Sequence, residues 1–310
     1  MPADTAPSPE HAALHGAGLH RTALRVAGLD PERAERIGEG WFAVAYRDRD
    51  RVARVLKPQT AVAGWTERYA SEVRLLRMLE RRGLPVPRDA RAVRDAAGRL
   101  LATTHRYIEG STARELRLRG RAHDRLAEQL ADFLTELHAT PLDEVRATGI
   151  QSIDLATELY APLVAEALPL LGPRSACWVQ QRLEQFTAAG GSTRAARVLV
   201  HGDLGDPHIF TDSRGSLRGV IDFGDALIAD AAFDFAGLGD FSWRFAERVL
   251  AEYQGAAAAD PDLPRRASFY IDVAPLYALV YGARLEDPGL LTRGRRQLAA
   301  RAAAATRAAR

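Results

Sequence analysis

The sequence predicts an α+β fold of two unlike lobes, and three observations predict it. Residues 36–57 and 100–106 read as strands around glycine- and aspartate-containing turns. Beyond about residue 120, apolar side chains recur at helical spacing. A single β-hairpin, within residues 209–221, is embedded among those helices. Strands first and helices afterwards disfavour a wound α/β sheet, in which the two alternate. The boundary falls close to Glu109-Gly110, which gives an N-terminal lobe of residues 10–109 and a mostly helical C-terminal lobe of residues 110–310.

In chain order, residues 1–9 are rich in proline and small side chains and are expected to be disordered, because they cannot bury enough surface to offset ordering. A first helix is expected over His11–Ala27, interrupted by Gly16 and Gly18. Arg36 to Tyr46 reads as strand, glycine turn, strand; glycines such as Gly38 and Gly40 let backbone approach a phosphate closely. After the turn Asp48-Arg49-Asp50, Arg51–Lys57 alternates as a two-faced strand. Val52, Arg54 and Leu56 share one face, and Ala53, Val55 and Lys57 the other. Thr66–Arg81 has Val73, Leu76 and Leu79 on one side and stops before the proline-rich 84–87. Leu100–Gly110 is a strand followed by a glycine-ended linker. Leu126, Leu130, Phe133, Leu134 and Leu137 mark a helix closed by Thr140-Pro141. Further helices are expected over Ile153–Leu171, Ser175–Ala188, Phe241–Tyr253, Pro264–Leu285 and Leu290 to about Ala305, the last with a solvated basic face. No internal repeat is visible.

The richest stretch is Arg197–Gly237. Val198-Leu199-Val200 is a buried strand that empties into a loop holding His201, Gly202, Asp203, Asp206 and His208. A hairpin centred near Gly215 would place position 208 opposite position 222, so that His208 and Asp222 face one another beside Asp203. A carboxylate free to act as base, beside an imidazole and a second carboxylate suited to a divalent ion, is what phosphoryl transfer requires. His201 reads as a structural loop histidine, with Asp230 and Asp234 bracing the loop through backbone hydrogen bonds.

Composition excludes several classes. Lysine plus arginine (42) nearly balances aspartate plus glutamate (40), so no bulk field draws in nucleic acid or membrane. The one cysteine, Cys177, excludes an internal disulfide and, beside Trp178, reads as core. No apolar run approaches membrane-spanning length, and Met1–Glu10 lacks a signal-peptide pattern. A cytoplasmic protein, monomeric or weakly dimeric, is expected.

His201-Gly202-Asp203, followed after four residues by His208, then a hairpin and Asp222-Phe223-Gly224, resembles the aminoglycoside phosphotransferases, small-molecule relatives of the protein kinases. The segment Glu72–Pro87 is similar to the family's single N-lobe helix and the residues after it. The family pattern usually has Asn where this chain has His208. Branches resembling aminoglycoside 2''-phosphotransferases and macrolide phosphotransferases carry His there. Imidazole is a softer donor than an amide oxygen, so an active, metal-tuned site is expected.

The resemblance implies a protein-kinase-like fold whose N-terminal lobe binds ATP or GTP with Mg²⁺ and whose C-terminal lobe holds the catalytic loop and the acceptor. It implies Asp203 as catalytic base and His208 with Asp222 as metal ligands. Lys57 would grip the phosphates, paired to Glu72, with Val55 under the base; Arg54 is the rival cation. Gly38 and Gly40 would cover the nucleotide, the Arg106 carbonyl and Ile108 amide would read its base, and His105 would lie behind it. The implied acceptor is an aminoglycoside-type antibiotic, held by carboxylates for which Asp225, Asp240 and Glu247, with Asp272 and Glu252, are candidates. A macrolide or other natural-product kinase, with a wider and more apolar acceptor site, is the alternative. A catalytically inactive nucleotide-binding module is a third reading, supported only by His208.

Overall fold

The computed structural model describes residues 9–40, 42–57, 65–193, 195–239, 241–255 and 257–308. The chain divides into two units. The first runs to Glu109 and also includes Gly219–Gly224; the second comprises Gly110–Arg218 and the chain from Asp225 onwards. Of the N-terminal segment expected to be disordered, only Pro9 is described, and it opens the first helix rather than preceding it.

The first unit is built from α1 (Pro9–Val26), β1 (Glu35–Glu39), β2 (Ala43–Asp48), β3 (Arg51–Leu56), α2 (Trp65–Arg81), β4 (Arg91–Arg94) and β5 (Leu100–Arg106). The five strands form one antiparallel sheet in the order β1-β2-β3-β5-β4. Alternation along β3 decides what each face meets. Ala53 and Val55, with Ala102 and Val93 on neighbouring strands, bury against Ala23 and Leu24 of α1. On the other face Leu56 packs with Ala43, Leu100 and Tyr69, the last from α2. Helix α2 buries Val73, Leu76 and Leu79, each contributing about 2 kcal/mol when fully removed from water.

The second unit opens with β6 (Ser111–Thr112) and α3 (Ala113–Leu116), whose start is a reciprocal cap between Thr112 and Glu115. Helices α4 (Arg121–His138) and α5 (Leu142–Ala147) follow. The helix expected over 153–171 is three pieces: a π-helical turn Leu155–Tyr160, α6 (Ala161–Ala167) and a 3₁₀ turn Leu168–Leu170. Next come α7 (Pro173–Ala188), β7 (Arg197–Val200), β8 (Ile209–Thr211), β9 (Leu217–Val220), β10 (Leu227–Asp230), α8 (Phe235–Leu238) and α9 (Trp243–Glu252). The helix expected over 264–285 is two, α10 (Leu263–Val273) and α11 (Pro275–Arg284), before α12 (Pro288–Ala308). Pro275 lacks the N–H that would continue α10, so a new helix begins there. Cys177 is exposed, not core. Ser175, Val179 and Phe186 point α7 inward, and a residue two positions from both Ser175 and Val179 lies on the opposite side.

The core of this unit is aromatic. Tyr160, Phe233, Phe269 and Tyr270 meet edge-on or tilted around Phe186, which stacks on Phe269 with centroids 3.9 Å apart. The β8–β9 turn closes through Asp212 N–H to Ser216 O at 3.1 Å, a centre one residue before the expected Gly215. Gly215 has φ +78°, and a Cβ there would lie 1.9 Å from the Ala122 carbonyl oxygen at the start of α4. Gly215→Ala is therefore expected to lower the urea midpoint by the equivalent of about 2 kcal/mol or more; an unchanged midpoint would show that the turn can move off α4. No described helix is long and apolar enough to cross a membrane.

Candidate active site

Strand β7 pairs antiparallel with β10, from Leu227 opposite Val200 to Asp230 opposite Arg197, and delivers the chain into the 201–208 loop. Buried Asp234, in the turn after β10, holds that loop by its backbone. Its Oδ2 accepts the His201 N–H and its Oδ1 the Gly202 N–H, both at 2.9 Å. His138 of α4 reaches the same Oδ2 through Nε2 at 3.1 Å, while its Nδ1 lies 2.8 Å from the Tyr253 hydroxyl. Nε2 donates to that carboxylate oxygen, and a hydroxyl can meet Nδ1 as either donor or acceptor. Asp230 likewise braces from within, bonded to Arg266, Tyr270 and the Ala232 N–H.

The loop turns at Gly202, φ +85°, where a Cβ would lie 2.2 Å from the Asp225 carbonyl oxygen. Only glycine fits both the left-handed backbone and that approach. His201 is fully buried and its Nδ1 accepts the Asp203 N–H at 3.2 Å, the structural role expected of it. The Asp203 carboxylate, by contrast, is 56% exposed. His208 donates from Nδ1 to the Asp203 carbonyl at 2.7 Å and the same nitrogen lies 3.5 Å from the Asp203 carboxylate, so Nε2 is the ring nitrogen that could serve a metal. Asp206 is tied to α3 through Arg114 at 2.9 Å.

In the first unit the cation that meets Glu72 is Arg54. Arg54 Nη1 lies 2.6 Å from Glu72 Oε1, and Nη2 lies 2.8 Å from Asp222 Oδ1. Burial works against the guanidinium's charge, but Glu72 and Asp222 outweigh it and hold its pKa above the ordinary value. The rival cation of the sequence reading thus makes the contact expected of Lys57. Lys57 follows the other face of β3 and pairs with Glu39 of β1 at 2.6 Å. Val55, on that same face of β3, is buried in the cluster with Ala23 and Leu24 of α1.

The remaining expected residues divide. A Cβ on Gly38 would meet only Ala45 Cβ, at 4.0 Å, and one on Gly40 only the Ala43 carbonyl, at 3.8 Å, so packing does not explain these glycines. The Arg106 carbonyl carries His105 Nδ1 at 2.8 Å. Burial pushes His105 down to about 4, which keeps it neutral. The Ile108 N–H makes no hydrogen bond among the described residues, and its side chain packs where a Cβ on Gly219 would sit, 2.8 Å from Ile108 Cδ1. Of the acceptor candidates, Asp225 lies against the loop at Gly202. Asp272 is paired to Arg182 at 2.9 Å; Glu247 and Glu252 are exposed on α9; Asp240 lies outside the described residues.

Sequence reasoning missed His138 and Tyr253 as braces and Tyr277 of α11 as a neighbour of the loop. Burial pushes the Tyr277 phenol up, and the charges of Asp225 and Asp203 push it further. The only signals in the chain were lone polar residues in apolar helices. Among the described residues no three His, Cys, Asp or Glu side chains form a metal cage. Asp222 of the first unit offers carboxylate oxygens and His208 of the second an imidazole nitrogen, donor types that divalent ions accept beside phosphate oxygens and water.

A family model described as "Phosphotransferase enzyme family" matches residues 12–270. The structure resembles the GDP and kanamycin complex of an APH(2") protein, with TM-score 0.78 and 27% identity over 94% of this chain and 99% of the other. It shares its fold with a macrolide 2'-phosphotransferase type I, with TM-score 0.65 and 19% identity over 95% and 98% of the two chains. An uncharacterized Bacillus subtilis (strain 168) protein, YcbJ, is 31% identical over 114 residues, which span 36% of this chain and 37% of that relative's length.

Proposed function

The chain belongs to the phosphotransferase enzyme family, and on that premise we propose that it transfers the γ-phosphoryl group of ATP or GTP to a hydroxyl of a small molecule, foremost an aminoglycoside-type antibiotic. The observation that carries the reading is the loop at Asp203: an exposed carboxylate on a backbone clamped by buried Asp234. Such a group is held in place yet open to an incoming hydroxyl, as a base must be. In the reaction the acceptor oxygen bonds to γ-phosphorus, the bond from γ-phosphorus to the bridging oxygen breaks, and Asp203 takes the hydroxyl proton. Arg54, steadied by Glu72, holds the donor phosphates, and Gly38 and Gly40 lie over them. His208 Nε2 and Asp222 would hold Mg²⁺, which when bound neutralises charge on the phosphates.

A wider, less cationic acceptor, such as a macrolide or another natural product, is the second reading. The observation favouring it is that, of the described candidate acids, Asp225 alone is brought against the loop, with Tyr277 beside it. Mass spectrometry of aminoglycosides and macrolides incubated with the protein, Mg²⁺ and ATP or GTP tests both. Gain of one phosphate identifies the acceptor class; no gain with any acceptor or donor would count against transfer itself. The choice of cation is tested in the same assay. Arg54→Ala is expected to cut kcat/KM by about 100-fold or more and Lys57→Ala by less than about tenfold; the reverse order would restore Lys57 to the role.

A further inference from the structure

Arg54 divides its guanidinium between two acids in unlike surroundings. Glu72 is 2% exposed, whereas the Asp222 carboxylate is 42% exposed. Breaking the Glu72 arm would leave a buried charge uncompensated, which is costly. The Asp222 arm faces solvent, where an ion pair is held weakly and exchanges readily. Asp222 is also placed by its backbone. Its φ is +67°, a left-handed conformation that Asp tolerates better than most residues. The segment around it is pinned by Val220 N–H to Pro85 O at 2.8 Å and by Arg68 Nε donating to the Gly224 carbonyl. The carboxylate therefore keeps its place whichever cation it faces.

We propose that Arg54 and a divalent cation compete for the Asp222 carboxylate, so that metal alone binds weakly and nucleotide phosphates, by drawing away Nη2, make metal binding favourable. The inference rests on Asp222 being a metal ligand, as proposed above. An arginine can do this because its planar fork offers Nη1 to Glu72 and Nη2 to Asp222 at once. A lysine presents one nitrogen and cannot hold both arms in that geometry.

The test measures Mn²⁺ binding without nucleotide, by electron paramagnetic resonance of the free ion. Arg54→Met is combined with Glu72→Gln so that no charged carboxylate is left buried, and circular dichroism checks the fold. Mn²⁺ is expected to bind the double variant about five- to tenfold tighter than the parent. Arg54→Lys, whose charge remains but whose fork is gone, should fall between them and keeps the idea testable if the double variant misfolds. Equal or weaker Mn²⁺ binding in folded variants overturns the competition. Adding Asp222→Asn should erase the gain. If Asp222→Asn leaves Mn²⁺ binding untouched in every background, the metal assignment itself is wrong and the competition falls with it. An absence of phosphoryl transfer by the parent protein, alongside tighter Mn²⁺ binding by the variants, would overturn the enzymatic reading alone.

Discussion

Asp203→Asn is expected to fold as the parent does and to lose phosphoryl transfer by about 10³-fold, within the range general-base catalysis supplies. The two halves of this expectation have separate causes. The loop's shape does not depend on the Asp203 carboxylate. Its backbone N–H goes to His201 Nδ1, its carbonyl accepts from His208 at 2.7 Å and from the Gly205 N–H at 3.0 Å, and the half-exposed carboxylate has His208 Nδ1 only at the longer 3.5 Å. Asparagine preserves each of those backbone bonds. What it loses is the ability to accept a proton, because an amide oxygen is far less basic than a carboxylate. Thermal unfolding should shift by no more than about 2 °C, the range of a substitution at a largely exposed side chain. Single-turnover kinetics with saturating nucleotide would place the loss in the chemical step rather than in binding. Turnover within tenfold of the parent would remove Asp203 from the mechanism.

Much of this site was legible because its residues are close in sequence. The buried run 198–200, the glycine at 202 and the acid at 203 announce a strand that ends in a polar loop, and the structure has that strand and that loop. Alternation likewise revealed two faces on β3. It could not say which face α1 would cover and which would meet α2, because that depends on helices far away in the chain. Val55 faces α1, Lys57 pairs with Glu39, and Arg54 holds the Glu72 contact. The same limit hid β10 as the partner of β7 and the grouping of Gly219–Gly224 with the first unit. A pairing across some thirty residues leaves no local pattern. Cys177 departs from expectation for a different reason: apolar neighbours in sequence do not fix which side of a helix a residue occupies, and Cys177 lies on the exposed side.

The Asp234 brace joins three separated segments, and its removal should have the largest structural effect in the molecule. His138 lies 96 positions from Asp234 and His201 lies 33 away, so each contact closes a long loop. Asp234→Asn keeps the side chain's shape and removes its charge. One of its two oxygens becomes an amide N–H₂, which must then face a donor that it cannot accept: His201 N–H and His138 on one side, or Gly202 N–H on the other. A buried donor left without an acceptor costs about 1–3 kcal/mol, and breaking a buried charged network about 3–5 kcal/mol. The expected loss of unfolding free energy is about 3 kcal/mol or more, read from urea denaturation, with turnover falling because the Asp203 loop is no longer held. Tyr253→Phe removes one hydrogen bond at the far end of the same network and should cost about 1 kcal/mol while leaving turnover largely intact. That graded pair separates bracing from chemistry, since stability falls at Tyr253 with little loss of rate and falls together with rate at Asp234, whereas Asp203 loses rate alone. If Asp234→Asn kept both its midpoint and its turnover, the loop would have to be positioned by β7 and the Gly202 turn without the carboxylate.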